Sequence, residues 1–162
     1  MTETSYRAPA LHVLVVEDGD EYLTNLTTFV SEGIGYSQAH SGAEACTMAR
    51  ERPPDLVYLD MRFDRTAPSL LFGDLVALSS RFNGDTTRAR QFQEDNQGLF
   101  ILRALRESGY VGPVVLSYDF EHDSRRFEAL SSRDPALSYC PDYADATAVR
   151  AAIMRAVGRS ES

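Results

Sequence analysis

Short apolar, β-branched runs alternate with helical stretches along this chain, and no other feature constrains its fold as tightly. Leu11-His-Val-Leu-Val-Val16 is the first run, apolar nearly throughout, as a strand buried on both faces requires. Tyr22, Leu23, Leu26, Phe29 and Val30 follow at helical spacing before Gly33. Tyr36 to His40 reads as a weaker second strand, and Ser41 with Glu44 forms a capping box for a helix that Pro53-Pro54 ends. Leu56-Val-Tyr-Leu59 is a third strand and Leu99 to Leu105 a helix. Val114-Val-Leu-Ser117 is a fourth strand, Phe127 to Leu130 a helix, Leu137 to Cys140 a fifth strand, and Ala146, Val149, Ile153 and Val157 a last amphipathic helix. Strand–helix repetition of this kind predicts an α/β domain whose parallel sheet is covered by helices on both faces.

At 162 residues the chain suits one domain with a full core. The boundaries read as a polar tail over residues 1–10, a domain over 11–158 and a short tail over 159–162. No further domain is expected after the last helix. A formal net charge of −8 disfavours nucleic acid as a partner. No run is apolar enough for a signal peptide or a membrane span, and Cys46 and Cys140 have neither disulfide-framework nor metal spacing, so a cytoplasmic protein with reduced thiols is expected. His12, His40 and His122 are scattered, and Glu121, Asp123 and Asp134 with Arg125, Arg126 and Arg133 read as solvated surface. All 16 basic residues are arginines, so no site here can use a lysine ammonium.

One stretch breaks the rhythm. Residues 64–95 stand where an α/β connection usually takes about 2–6 residues. Leu71, Leu75, Leu78 and Phe82 share a helical face that Asn83-Gly84 ends, and Asp85 can cap a second, more polar helix through Glu94 with Ala89 and Phe92 on its apolar side. The stretch reads as an inserted helical hairpin between the third strand and the helix that follows. Its apolar stripe either packs on the domain or forms a docking face.

In an open parallel sheet, ligands bind beyond the carboxyl ends of the strands. Glu17 and Asp18 leave the first strand there, and Asp60 leaves the third. Three converging carboxylates repel one another and need a cation or a raised pKa to coexist. Oxygen ligands of this kind suit Mg²⁺, and a carboxylate beside such an ion can attack phosphorus.

With Val13-Leu-Val-Val-Glu-Asp18, Leu56-Val-Tyr-Leu-Asp60, Pro113-Val-Val-Leu-Ser117, Ser41-Gly-Ala-Glu-Ala45 and Asn96-Gln-Gly-Leu-Phe-Ile-Leu-Arg-Ala-Leu105 in this order, the chain resembles the receiver domains of two-component response regulators. The resemblance covers about residues 10–158 apart from the insertion. It implies a flavodoxin-like sheet of order 2-1-3-4-5. It also implies that Asp60 accepts a phosphoryl group from a histidine kinase, and that Glu17, Asp18, Asp60 and the backbone carbonyl of Arg62 hold Mg²⁺. Ser117 would hydrogen-bond the phosphoryl oxygen.

The departures are specific. The family's lysine, just before the proline after the fifth strand, is Cys140 here, which offers no positive charge. Leu137 stands at the family's switch aromatic, with Tyr139 close by, and Arg62-Phe-Asp-Arg65 replaces the usual proline beyond the phosphoacceptor. Arg62, Arg65, Arg88 and Arg90 are candidates for a compensating cation.

Three functions compete. The first is a stand-alone atypical receiver that signals through a protein target, contacted by the insertion or by the helices after the fourth and fifth strands, with Mg²⁺-dependent phosphorylation on Asp60. The second is a pseudo-receiver adaptor that needs no phosphorylation. The third is a Mg²⁺-dependent phosphatase or phosphotransferase with Asp60 as nucleophile. Enzymes of the haloacid dehalogenase type place a second Asp where Arg62 stands, which ranks this reading last.

Overall fold

A computed structural model of the chain describes residues 11–160, with side chains through residue 158. The tail read at residues 1–10, like residues 161–162, lies outside the described residues. Strands β1 (Leu11–Val16), β2 (Ile34–Ala39), β3 (Leu56–Asp60), β4 (Val114–Ser117) and β5 (Leu137–Cys140) form one parallel sheet of order β2-β1-β3-β4-β5. This is the flavodoxin-like order the resemblance implied.

Period-two alternation divides the core between the two faces. Val13 and Val15 point with Tyr58 and Val115 toward α1 (Glu21–Phe29) and the C-terminal helix, where Leu26, Val149 and Ile153 meet them. Leu14, Val16, Val57 and Leu59 point the other way, onto Ala45 and Ala49 of α2 (Gly42–Glu51) and a longer helix carrying Ile101 and Leu105. Each of these named strand side chains is thereby buried. Burial of this extent contributes about 1.5–3 kcal/mol per large aliphatic residue. The α2 capping box forms as read: Glu44 N–H donates to Ser41 Oγ at 3.2 Å.

The insertion is built on a single 3₁₀ turn (Pro68–Leu70) followed by α3 (Leu75–Arg81) and α4 (Thr86–Asp95), capped by Asp74 and Asp85 respectively. Leu71 and Leu78 are buried, while Leu75 and Phe82 are half-buried. The stripe therefore turns largely inward, with Leu75 and Phe82 half-buried at its edge. Leu71 precedes the helix and reaches the core from the loop, because Gly73 turns the chain at φ +107° before α3 starts. Phe82 and Phe92 tilt together at 5.8 Å and hold the hairpin closed.

The hairpin runs almost directly into α5 (Gln97–Glu107), with Asn96 alone between the helices. Helix α6 (Ser124–Arg133) precedes β5, and α7 (Ala146–Ser160) continues two residues into the stretch read as a C-terminal tail. Among the described residues, no helix is long and apolar enough to cross a membrane. One surface reading changes: Asp134 is half-buried and takes both ends of the Arg106 guanidinium at 2.8 and 3.1 Å, tying α6 to α5.

Candidate functional site

Sheet register builds the site. Val16 lies opposite Leu59, Asp60 opposite Ser117, and Ser117 opposite Cys140. Glu17, Asp60, Ser117 and Cys140 thus reach the carboxyl edge of the sheet as one row. Glycine at position 98 makes room behind this row. Its N–H donates to the Met61 carbonyl at 2.9 Å, and a Cβ there would lie 2.6 Å from the Asp60 carbonyl oxygen and 2.9 Å from Met61 Cα. Helix α5 can start this close to the end of β3 only without a side chain.

The carboxylates are engaged by the chain itself. Glu17, almost fully buried, accepts from the Tyr22 and Leu23 N–H groups at 3.0 and 2.8 Å, with Gln38 Nε2 at 3.3 Å. It satisfies two of the orphan donors in the first turn of α1. Burial still pushes its pKa up, against those hydrogen bonds. Asp18, whose side chain is 3% exposed, accepts from the Arg65 N–H at 2.8 Å and faces the Arg65 guanidinium at 3.5 Å. That guanidinium forks onto Glu21 at 2.8 and 2.9 Å, holding the Glu21 carboxyl down at about 2.

Among the described residues Asp60, like Glu17, has no ion-pair partner. Burial, and then the charges of Asp18 and Glu17, push its pKa up to about 7, against hydrogen bonds from the Arg62 and Met61 amides. Ser117 Oγ pairs with the Tyr22 hydroxyl at 2.9 Å, so α1 reaches across the row. Burial and the nearby Asp60 charge raise the Tyr22 phenol. Burial likewise raises the Cys140 thiol, which lies beside the Tyr58 hydroxyl. Neutral phenols and a thiol fill the side of the pocket where a cation was sought.

The other expectations fall out as follows. Leu137 is buried in the core, and Tyr139 packs on Phe120 and Phe127 at 5.3 and 4.7 Å. The Arg62 side chain turns away to Asp64 and Asp95, at 3.5 and 3.3 Å. Arg88 lies over the Phe82 ring within the hairpin, and Arg90 Nη1 is buried without a hydrogen-bond partner. Among the described residues, Arg65 is the arginine that pairs with Asp18. Sequence reasoning missed Tyr22 as the partner of Ser117; its signal was a phenol in the first turn after the acidic pair.

The donor set does not fit Mg²⁺ as it stands. Among the described residues no group of three or more His, Cys, Asp or Glu side chains is placed to hold a metal ion. A hard cation needs carboxylate oxygens turned toward it. Glu17 turns its oxygens to the α1 amides and Asp18 to Arg65.

No family model matches the chain, and no curated protein matches it. Solved structures do match. The Francisella response regulator 1452 receiver domain superposes with a TM-score of 0.61 at 16% identity, covering 93% of this chain and 98% of that one. A response regulator receiver domain protein from Clostridium thermocellum gives 0.60 at 18%, covering 93% and 97%. A two-component response regulator from Clostridium difficile gives 0.62 at 16%, covering 94% and 99%. The chain has the receiver fold.

Proposed function

We propose that this chain is a receiver-fold signalling module that acts through protein contacts and whose acidic pocket rests closed, without a requirement for phosphorylation. One observation carries the reading: Asp18, the acid closest in role to a cation ligand, is already paired with Arg65 through both its backbone N–H and its guanidinium. The lack of a cationic partner for Asp60 among the described residues supports it. With Cys140 and Tyr22 beside the row instead of an ammonium, a dianionic acyl phosphate on Asp60 would have little positive charge to stabilise it.

A second reading keeps Asp60 as a phosphoacceptor served by a histidine kinase, with Glu17, Asp18 and the Arg62 carbonyl around Mg²⁺ and Ser117 on the phosphoryl oxygen. The single row of Asp60 and Ser117 favours it. Phosphorylation would add roughly one to two negative charges and new acceptor oxygens to the pocket. The phosphatase reading has less support, because the Arg62 side chain pairs with Asp64 and Asp95 and offers no acid or base beside Asp60.

Acetyl phosphate or beryllofluoride with millimolar Mg²⁺, followed by intact mass and amide NMR shifts, separates these functions. The closed-pocket module shows no mass gain. A gain that Asp60→Asn abolishes establishes the phospho-switch, and steady turnover of small phosphate esters establishes the enzyme.

A further inference from the structure

Arg65 sits at the start of the insertion and makes its contacts far back along the chain. Its N–H holds one oxygen of Asp18 at 2.8 Å, while its guanidinium faces the other oxygen at 3.5 Å and takes both oxygens of Glu21. The guanidinium and the Glu21 carboxylate lie against Gly19, where a Cβ would meet the ends of both side chains. Backbone bond and forked ion pair together form a latch over Asp18.

We infer that Arg65 is an internal counter-ion that excludes divalent cations from the acidic pocket and so sets its metal selectivity. The Asp18 oxygens that a hard cation would need are turned to Arg65. A positive guanidinium fixed against the same carboxylate also repels an incoming divalent ion. The latch is itself open to solvent, with the Arg65 and Glu21 side chains 56% and 62% exposed, so breaking it leaves the core intact. Arg65 touches neither Asp60 nor Ser117 through any hydrogen bond or ion pair recorded among the described residues. It is a positioning and selectivity residue that acts through Asp18.

This inference rests on the closed-pocket reading, and its test is separate from phosphorylation. Full-length wild type and Arg65→Gln are titrated with Mg²⁺ alone, following the amide shifts of Asp18, Gly19, Asp60 and Arg62. Wild type is expected to give no saturable shift at millimolar Mg²⁺. Arg65→Gln is expected to bind saturably, at least about ten-fold more tightly, and adding Asp18→Asn to that variant should abolish the gain. Glu21→Gln, which frees the guanidinium from its outer partner, should loosen the latch and give a smaller gain; it serves if Arg65→Gln misfolds. Equal behaviour of wild type and both latch variants, whether all bind or none does, overturns the inference. A gain of Mg²⁺ binding without any mass gain from acetyl phosphate leaves both proposals standing. Phosphorylation of wild type with normal latch-variant gains removes the functional reading alone.

Discussion

The two ends of the insertion are fastened to the domain by opposite means. Where it returns, Gln97 is 1% exposed and brackets Phe72, accepting from its N–H at 2.8 Å and donating to its carbonyl at 3.0 Å. Gln93, 3% exposed, donates to the Phe72 and Gly73 carbonyls at 3.2 and 3.1 Å. Where it leaves, Arg65 holds Asp18 and Glu21 from an exposed position. Buried amides that satisfy backbone groups are costly to remove, since each orphaned group loses its solvation as well as its partner. Exposed ion pairs contribute little and are screened by salt. The return end is a fixed strut, and the leaving end is a latch that can open with the strut in place.

That contrast breaks first at Gln97. Gln97→Ala orphans the Phe72 N–H and leaves its carbonyl only the Gln93 bond, so it should destabilise the fold by about 1–3 kcal/mol, read by urea unfolding. A loss under about 0.5 kcal/mol would mean the strut is not what holds the hairpin. Gly98→Ala comes next. Alanine in a helix usually stabilises by up to about 1 kcal/mol over glycine, but here the Cβ meets Asp60 and Met61 backbone. The expected sign is reversed, with a loss of about 1–3 kcal/mol. A stabilised variant would show that α5 can retreat from the strand end.

Asp60 sits between strut and latch, and its prediction runs in the other direction. Its folded pKa, about 7, lies above the ordinary 3.8. The native state therefore keeps a proton that the unfolded chain has already released as pH rises from about 4 to 7. Stability from this group is fully present below the unfolded value and is lost as pH climbs through the folded one. Asp60→Asn should consequently stabilise the protein by about 1–2 kcal/mol at pH 8 and by much less at pH 4. Thermal melts across this range check it; a pH-independent difference would place the cause elsewhere. The smallest effect belongs to the latch. Arg65→Gln should cost less than about 1 kcal/mol, and the difference from wild type should shrink in high salt. A larger, salt-insensitive loss would make the leaving end a strut as well.

The central strands β1, β3 and β4 were legible because each is a local apolar run, whereas β2 (Ile34–Ala39) is more polar and half-buried and read more weakly. Glu17, Asp18 and Asp60 were legible for a related reason: a polar residue directly after such a run must emerge at the sheet's edge. The hairpin helices announced themselves through Asp74, Asp85 and Asn83-Gly84. Their buried polar side did not. Gln93 and Gln97 look like surface helix residues in one dimension, and only the return of Phe72 gives their amides a reason to be inside. Asp134 was misread for the same cause, since its partner Arg106 is on another helix.

Sequence alone determined the parallel α/β architecture, the place of the acidic row and the absence of any lysine near it, because hydrophobic period and residue identity are properties of neighbours along the chain. The tertiary structure decided the pocket's present state. Asp18 meets a partner 47 residues away and Ser117 one 95 residues away. Whether a carboxylate is open to a cation or held by an arginine depends on which distant side chain arrives beside it, and that is settled only when the sheet, α1 and the first turn of the insertion pack together.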